Sequence, residues 1–427
     1  MFSKRASTLG AAFVLFFLML EQALATESQL DVLAQNAASS EPSYQFPGLT
    51  SRLPIQLSLS VAQGYDDNPG TTNSSTNSTT SSGGGSLFTS GNLMFAYRLK
   101  SVRTKLDFAA NVGATYYPDL GGQNYDLNEF VRLLLSHDIS QRLNLSMAFN
   151  AAYRTEPNFA TNAGPETRQG NYFQNTDILS LSYHWTPHVS TITTVSGFRI
   201  SYDDSMIAAT SNRWDVTAGQ QFLFSLPNVR PALVAEYRFE VNEYDTAPSN
   251  STTHYLLGGF DQNFSPRFRL TARGGASFTS YQNNSNVSQN NGDTINPHFE
   301  TSLEYAGAHH FDVQWLTSYG VEQANSAGTL TYRTGLQAGY NVLPKVRATA
   351  AVYYHRDGNQ QVPVTGVSQS NSSRDSFDGS LSLYYPVNRF LFLNLNYTHS
   401  SVSSGGGNAG TGDYSRNSYA GGFTLTY

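Results

Sequence analysis

The chain has 427 residues, no cysteine, 13% charged residues and 13% aromatic ones. Soluble chains carry roughly 25% charged residues and disordered ones are poor in aromatics, whereas Tyr and Phe number 26 each here. A mean hydropathy of -0.36 with a single long apolar run excludes a bundle of membrane helices, and zero Cys excludes disulfides, zinc–thiolate sites and thiol catalysis. A net charge of -6 gives no basis for nucleic-acid binding. What remains is a large all-β protein whose walls are apolar on one side and polar on the other.

The apolar run lies at the start. Lys4 and Arg5 precede Ala11 to Leu20, and Ala23-Leu24-Ala25 follows, the three-part pattern of a secretory signal peptide. The run is shorter than the roughly 20 residues a spanning helix needs. Residues 1–25 are therefore expected to be removed. No cysteine follows the cleavage site, which excludes a lipoprotein. Residues 26–53, polar and punctuated by Pro42 and Pro47 with Pro54 just beyond, read as a flexible periplasmic lead, and residues 54–427 as one barrel domain.

From Ile55 onward a period of two persists to the last residue. Ile55, Leu57, Leu59 and Val61 alternate with Gln56, Ser58, Ser60 and Ala62; Leu391, Leu393, Leu395 and Tyr397 alternate with Phe392, Asn394 and Asn396. Successive side chains on a strand point to opposite faces, so each segment has one apolar and one mostly polar face. The runs exceed the five or six residues usual in soluble sheets and match the roughly 9–11 residues of a tilted membrane-crossing strand. The pattern predicts a transmembrane antiparallel up-and-down β-barrel of about 18 strands. They start near Ile55, Ser86, Thr104, Tyr125, Arg142, Tyr172, Val189, Arg213, Pro231, Thr252, Arg267, Pro297, His310, Leu330, Lys345, Asp375, Arg389 and Arg416. Residues 124–137 and 172–185 alternate poorly, which leaves 16 as the alternative.

Connections alternate long and short. The long ones are Asp66–Gly85, Thr155–Asn171, Gln282–Asn296, Gly358–Arg374 and Ser401–Ser415, rich in Asn, Ser, Thr and Gly. Short, turn-like ones include Asp138 to Gln141, Trp185 to Pro187, Leu226 to Asn228, Phe264 to Pro266, Leu343-Pro344 and Tyr385 to Asn388. Proline presets a turn and cannot sit mid-ladder. Outer-membrane barrels have short periplasmic turns and longer outer loops. A first and a last connection that are both long put both termini in the periplasm.

The chain ends on a strand whose apolar face carries Tyr419, Phe423, Leu425 and Tyr427. This resembles the terminal strand that the barrel-assembly machinery reads in Gram-negative outer-membrane proteins. Gly64-Tyr65-Asp66-Asp67-Asn68, closing the first strand, resembles the opening motif of the second of the β-barrel porin families of bacterial outer membranes. The resemblance covers roughly residues 55–427. It implies an outer-membrane location, contact with outer-membrane lipid and lipopolysaccharide, and, because members sit beside exopolysaccharide synthesis and export systems, polysaccharide or export-system proteins as partners. Composition and spacing do not themselves indicate that role.

No G-x-S-x-G, P-loop or H-E-x-x-H motif occurs, and no enzymatic activity, metal site or cofactor is expected. His309-His310 sit at a proposed turn, where adjacent residues face opposite sides. Asp66-Asp67 and Asp203-Asp204 allow two readings, Ca²⁺ ligation through carboxylates or solvated loop residues; shortness of the motif favours the second. The strand charges are more informative. If the apolar residues face lipid, Glu236, Arg238, Glu240, Arg269, Arg273, Glu300, Glu304, Asp312, Arg333, Arg347 and Asp378 face the lumen; an Arg or Lys facing lipid at the midplane would cost roughly 2–4 kcal/mol. Their mixed signs suit either a weakly selective polar channel or a set of ion pairs bracing the wall. Tyr97, Tyr116, Tyr153, Tyr202, Phe224, Tyr244, Tyr281, Tyr340, Tyr397 and Tyr427 read as membrane-interface girdles. Tyr353, Tyr384, Phe390 and Phe392 fall toward the lumen. Two functions follow as expectations: passage of polar solutes, or a non-conducting scaffold barrel.

Overall fold

A strand with one apolar and one polar face is stable in a membrane only if its backbone groups are all paired, and a sheet achieves that by closing. The computed structural model describes residues 55–71, 84–120, 124–155, 170–225, 231–246, 250–282, 293–307, 311–324, 327–358, 373–405 and 413–427. Within them lie β1 (Ile55–Asp66), β2 (Ser86–Lys100), β3 (Thr104–Tyr116), β4 (Tyr125–Asp138), β5 (Leu143–Arg154), β6 (Tyr172–Thr186) and β7 (Val189–Tyr202). A short helix α1 (Ser205–Ser211) leads to β8 (Arg213–Ser225), β9 (Ala232–Tyr244), β10 (Asn250–Ser265), β11 (Phe268–Gln282), β12 (Thr294–Ala306) and β13 (Asp312–Ala324). The remainder are β14 (Ala327–Leu343), β15 (Val346–Gly358), β16 (Ser373–Pro386), β17 (Leu391–Gly405) and β18 (Tyr414–Thr426). Segments 1–25 and 26–53, the His309-His310 pair and the Leu226 to Asn228 turn lie outside the described residues.

Every strand pairs antiparallel with its neighbours in sequence, and β1 pairs with β2 on one side and β18 on the other. The sheet is a closed barrel of 18 strands. The two segments that alternate poorly are both strands. In β4 the inner face carries Phe130, which packs with Ala109 and Ala152; in β6 it carries Ile178 while Asp177 shares the other face, in register with Phe149 and Gly197. Local packing on the inner face replaces a polar residue by an apolar one and blurs the period.

The two faces separate cleanly at the barrel seam. Leu393, Leu395, Phe423 and Leu425 are exposed, Leu395 by 60%, whereas Asn394, Thr424 and Thr426 on the opposite parity are buried. Both ends of the described barrel chain lie at one rim, where the connections 101–103, 139–142, 187–188, 266–267, 344–345 and 387–390 are tight; this is the turn end. Side chains close several of these turns: Ser140 Oγ accepts from the backbone N–H of Arg142 and Leu143, and Asn388 Oδ1 from Phe390 and Leu391. The other rim, the loop end, carries the longer connections, with one departure from strict alternation. There β13 and β14 are joined through 325–326 alone, because the pair stays in register up to Ala324 opposite Ala327.

On the outer face at the turn end, aromatic rings form a chain across five strands and the turns between them. Phe264, Phe268, Tyr305, Phe311 and Tyr340 follow one another with centroid distances of 5.0, 6.3, 5.9 and 6.1 Å. Near the loop end Tyr397 and Tyr419 stack at 4.9 Å. Rings at these levels suit the membrane–water boundary. Three of the expected girdle residues sit elsewhere. Tyr202 and Tyr244 are buried, and Tyr281 pairs with the buried Ser251 on the parity of Ser277 and Thr279. Parity places all three on the inner face, where Tyr202 packs with Tyr172 and Ile200.

Candidate functional site

The interior is built in three tiers. At the loop end Asp204 caps α1, accepting from the N–H groups of Met206 at 2.9 Å and Ile207 at 3.1 Å. The helix lays Ile207 and Ala208 against the inner-face cluster Tyr172, Ile200 and Tyr202. Beside the seam Phe88, Tyr117 and Leu120 form a second buried cluster, with Ala420 against it.

The middle tier is a charge network on the inner face of β8 to β12. Its geometry depends on two glycines. A Cβ at Gly259 would run into the carbonyl oxygen of Ala272, and one at Gly275 into that of Leu256, so only glycine permits so close an approach of β10 and β11. With no side chains at those two inner positions, Arg238 of β9 reaches across both strands to Glu300 of β12. The contact is bidentate, Nη1 to Oε1 at 2.8 Å and Nη2 to Oε2 at 2.9 Å. Arg238 Nε also donates to Glu236, whose second oxygen accepts from Gln221 Nε2 at 2.8 Å and lies 3.6 Å from Arg273. His298 Nε2 meets Glu300 at 2.7 Å. Glu240 accepts from Asn242 at 2.9 Å and from the Tyr255 hydroxyl at 3.0 Å. Glu236, Arg238, Arg273 and Glu300 are all buried.

The third tier is a cavity of about 1420 Å³ at the turn end. Met94, Ala96, Arg98, Asp107, Arg132 and Leu134 line one wall, from β2 to β4. Asn263, Arg269, Glu304, Asp312, Gln314 and Gln337 line the facing wall, from β10 to β14. These strands lie on opposite sides of the ring, so the cavity crosses the barrel. Asp312 is held by Arg347 at 2.5 Å, Asp261 by Arg269 at 3.3 Å, and Asp107 by Arg98 at 3.0 Å.

The eleven strand charges thus divide. Glu236, Arg238, Arg273, Glu300 and Glu240 sit in the middle tier; Arg269, Glu304, Asp312 and Arg347 belong to the turn-end cavity and its rim. Arg333 lies opposite His355 in the β14–β15 register, beside the His355–Asp357 contact of 2.9 Å. Asp378 accepts from Ser400 Oγ at 2.6 Å. Tyr353, Tyr384 and Phe392 are buried on the same inner parity; Phe390 is in the 387–390 turn, with the Arg389 guanidinium 4.5 Å from its ring centre. Tyr419, Phe423, Leu425 and Tyr427 are exposed on the outer parity.

Residues that the strand charges alone did not single out complete the site: Asp261, His298, Gln221 and Tyr255 in the network, Arg98, Asp107 and Arg132 in the cavity. Parity with Arg273, Glu300 and Ala96 was the available signal. The acidic pairs have protein partners. Asp66 accepts from Arg416 and Asp67 from Asn417, Asp203 accepts from Tyr153 at 2.5 Å, and Asp204 caps α1.

No family model matches the chain, and no curated protein does. Among solved structures, the outer membrane protein opdK from Pseudomonas aeruginosa is similar at 11% identity, with 87% of this chain and 99% of that one covered and a TM-score of 0.41. OccK2 (OpdF) from the same organism, solved with glucuronate, is similar at 12% identity, covering 87% and 98%, with a TM-score of 0.42. The siderophore receptor PirA from Acinetobacter baumannii is similar at 7% identity, covering 88% and 81%, with a TM-score of 0.42. At these values the functional reading rests on this chain's own interior.

Proposed function

We propose that the protein is an outer-membrane barrel with both termini in the periplasm, and that its interior is a porin-like path for small polar solutes. The observation that carries this reading is the cavity of about 1420 Å³ that spans the width of the barrel at the turn end, with charged and polar side chains such as Arg98, Arg132, Arg269, Glu304 and Gln314 on both of its walls. Closed barrels of about 16–18 strands are wide enough for an aqueous channel. The apolar outer face with aromatic rims supports the membrane setting, and the signal-peptide pattern supports export. Lipopolysaccharide and lipid are then its surroundings, and the barrel-assembly machinery reads the face that carries Tyr419, Phe423, Leu425 and Tyr427. A tie to exopolysaccharide export follows from the resemblance of Gly64 to Asn68 alone; loss of secreted polysaccharide on deletion of the gene would support it.

A second reading has its own observation. The middle-tier charges are directed at one another, as bracing requires, and α1 lies against the inner face at the loop end. That suits a non-conducting scaffold of an envelope export system. Swelling of proteoliposomes in small neutral sugars separates the two. Swelling that depends on protein and falls with solute size supports passage; swelling no faster than in protein-free vesicles supports the scaffold.

A further inference from the structure

We infer that the turn-end cavity prefers anions, an inference that rests on the channel reading above. Counting charged residues in the wall shows both signs and suggests no preference, but the structure separates paired charges from the rest. In the middle tier Arg238 and Arg273 face Glu236 and Glu300, and Glu240 is held by Asn242 and Tyr255, so that belt adds no positive field. In the cavity Asp107 is matched by Arg98 and Asp312 by Arg347. Among the described residues, Lys100 and Arg267 make no ion pair. They stand on opposite walls of the same cavity, Lys100 at the end of β2 and Arg267 in the turn between β10 and β11, and against them the cavity sets the carboxylate of Glu304.

The rim repeats the sign. Apart from Lys4, the chain holds three lysines, Lys100, Lys105 and Lys345. All three are exposed at the turn end, as are Arg103 and Arg267. The exposed acid there, Asp138, accepts from Asn144 at 2.8 Å and keeps its charge, but the five exposed cations outnumber it. A concave mouth of predominantly one sign with low-dielectric walls focuses its field and raises the local concentration of the opposite ion. Anionic solutes are therefore favoured over cations of equal size, and access from the turn end is favoured over access from the loop end.

The test uses the full-length mature protein in planar bilayers under a KCl gradient, with heat-modifiable folding checked for each variant. The wild type should show a reversal potential of the chloride-preferring sign, severalfold over potassium, and stronger at low salt. K100Q/R267Q should move it toward zero and K100E/R267E should invert it. A conducting wild type that prefers potassium, or one whose reversal potential is unmoved by K100E/R267E, overturns the inference while leaving the channel reading intact. A silent barrel rejects the channel reading instead, and the cavity is then read by fluorescence anisotropy of a small polysulfonated dye with the detergent-solubilised protein. Salt-sensitive binding that K100E/R267E abolishes supports the anion preference; no binding, or binding equal in the variant, overturns it.

Discussion

Asp66 and Arg416 lock the seam between the first strand and the last. The Asp66 carboxylate is fully buried and takes Arg416 Nε at 2.8 Å and Nη2 at 2.6 Å. Arg416 Nη2 also donates to the Tyr117 hydroxyl at 3.2 Å, and Asp67 takes the backbone and side-chain nitrogens of Asn417 at 2.6 and 2.7 Å. A Cβ at Gly64 would collide with the Phe88 ring and the Tyr419 carbonyl. The Gly64 to Asn68 segment therefore has a physical role in this chain: its glycine admits Phe88 and its acids hold β18.

Arg416→Leu is predicted to leave Asp66 buried without its guanidinium, a loss of about 3–5 kcal/mol by the cost of breaking a buried pair. The folded, fast-migrating form should convert to the unfolded form at a clearly lower temperature on semi-native gels. Unchanged conversion would show that Asp66 finds water or another partner.

In the middle tier Arg238→Leu is predicted to destabilise more than the double change R238L/E300L. The single change leaves two carboxylates of the network without their shared cation, whereas the double change removes one of them. Urea unfolding of the two variants compares them directly, and the reverse order would contradict the assigned network.

Cysteine placed at Arg269 or Arg333 should react with a small water-soluble thiol reagent in the folded barrel. Cysteine at Leu393 or Leu395 should resist it in vesicles. Both outer positions share the exposed parity of Phe423 and Leu425, so equal labelling at all four sites would contradict the assigned faces.

Much of this was legible from the period of two. The starts at Ile55, Ser86, Thr104, Tyr125, Tyr172, Val189 and Arg213 coincide with the observed strands, because a wall with one apolar face leaves no freedom of parity. Parity gives a face but not the neighbours on it. That Arg238 meets Glu300 depends on Gly259 and Gly275 removing side chains from two intervening strands, a relation between four segments that no local pattern encodes. Tyr202 and Tyr244 illustrate the same limit: position near a strand end suggested a girdle, while parity assigned them inward. The helix α1 is short, and Asp204 was its one local sign.

Epitope tags near Thr80, Asn162, Asn286 or Gly406 should be visible on intact cells, and tags at Pro227 or Pro344 should be hidden until the outer membrane is opened. Display of the Pro344 tag on intact cells would invert the proposed orientation.

The central claim is that a polar path crosses the folded barrel, and single-channel recording of the purified, heat-modifiable protein in a planar bilayer tests it most directly. Discrete conductance steps are predicted, unchanged or larger after deletion of residues 26–53. Silence in both the full mature chain and the deletion variant would contradict the channel.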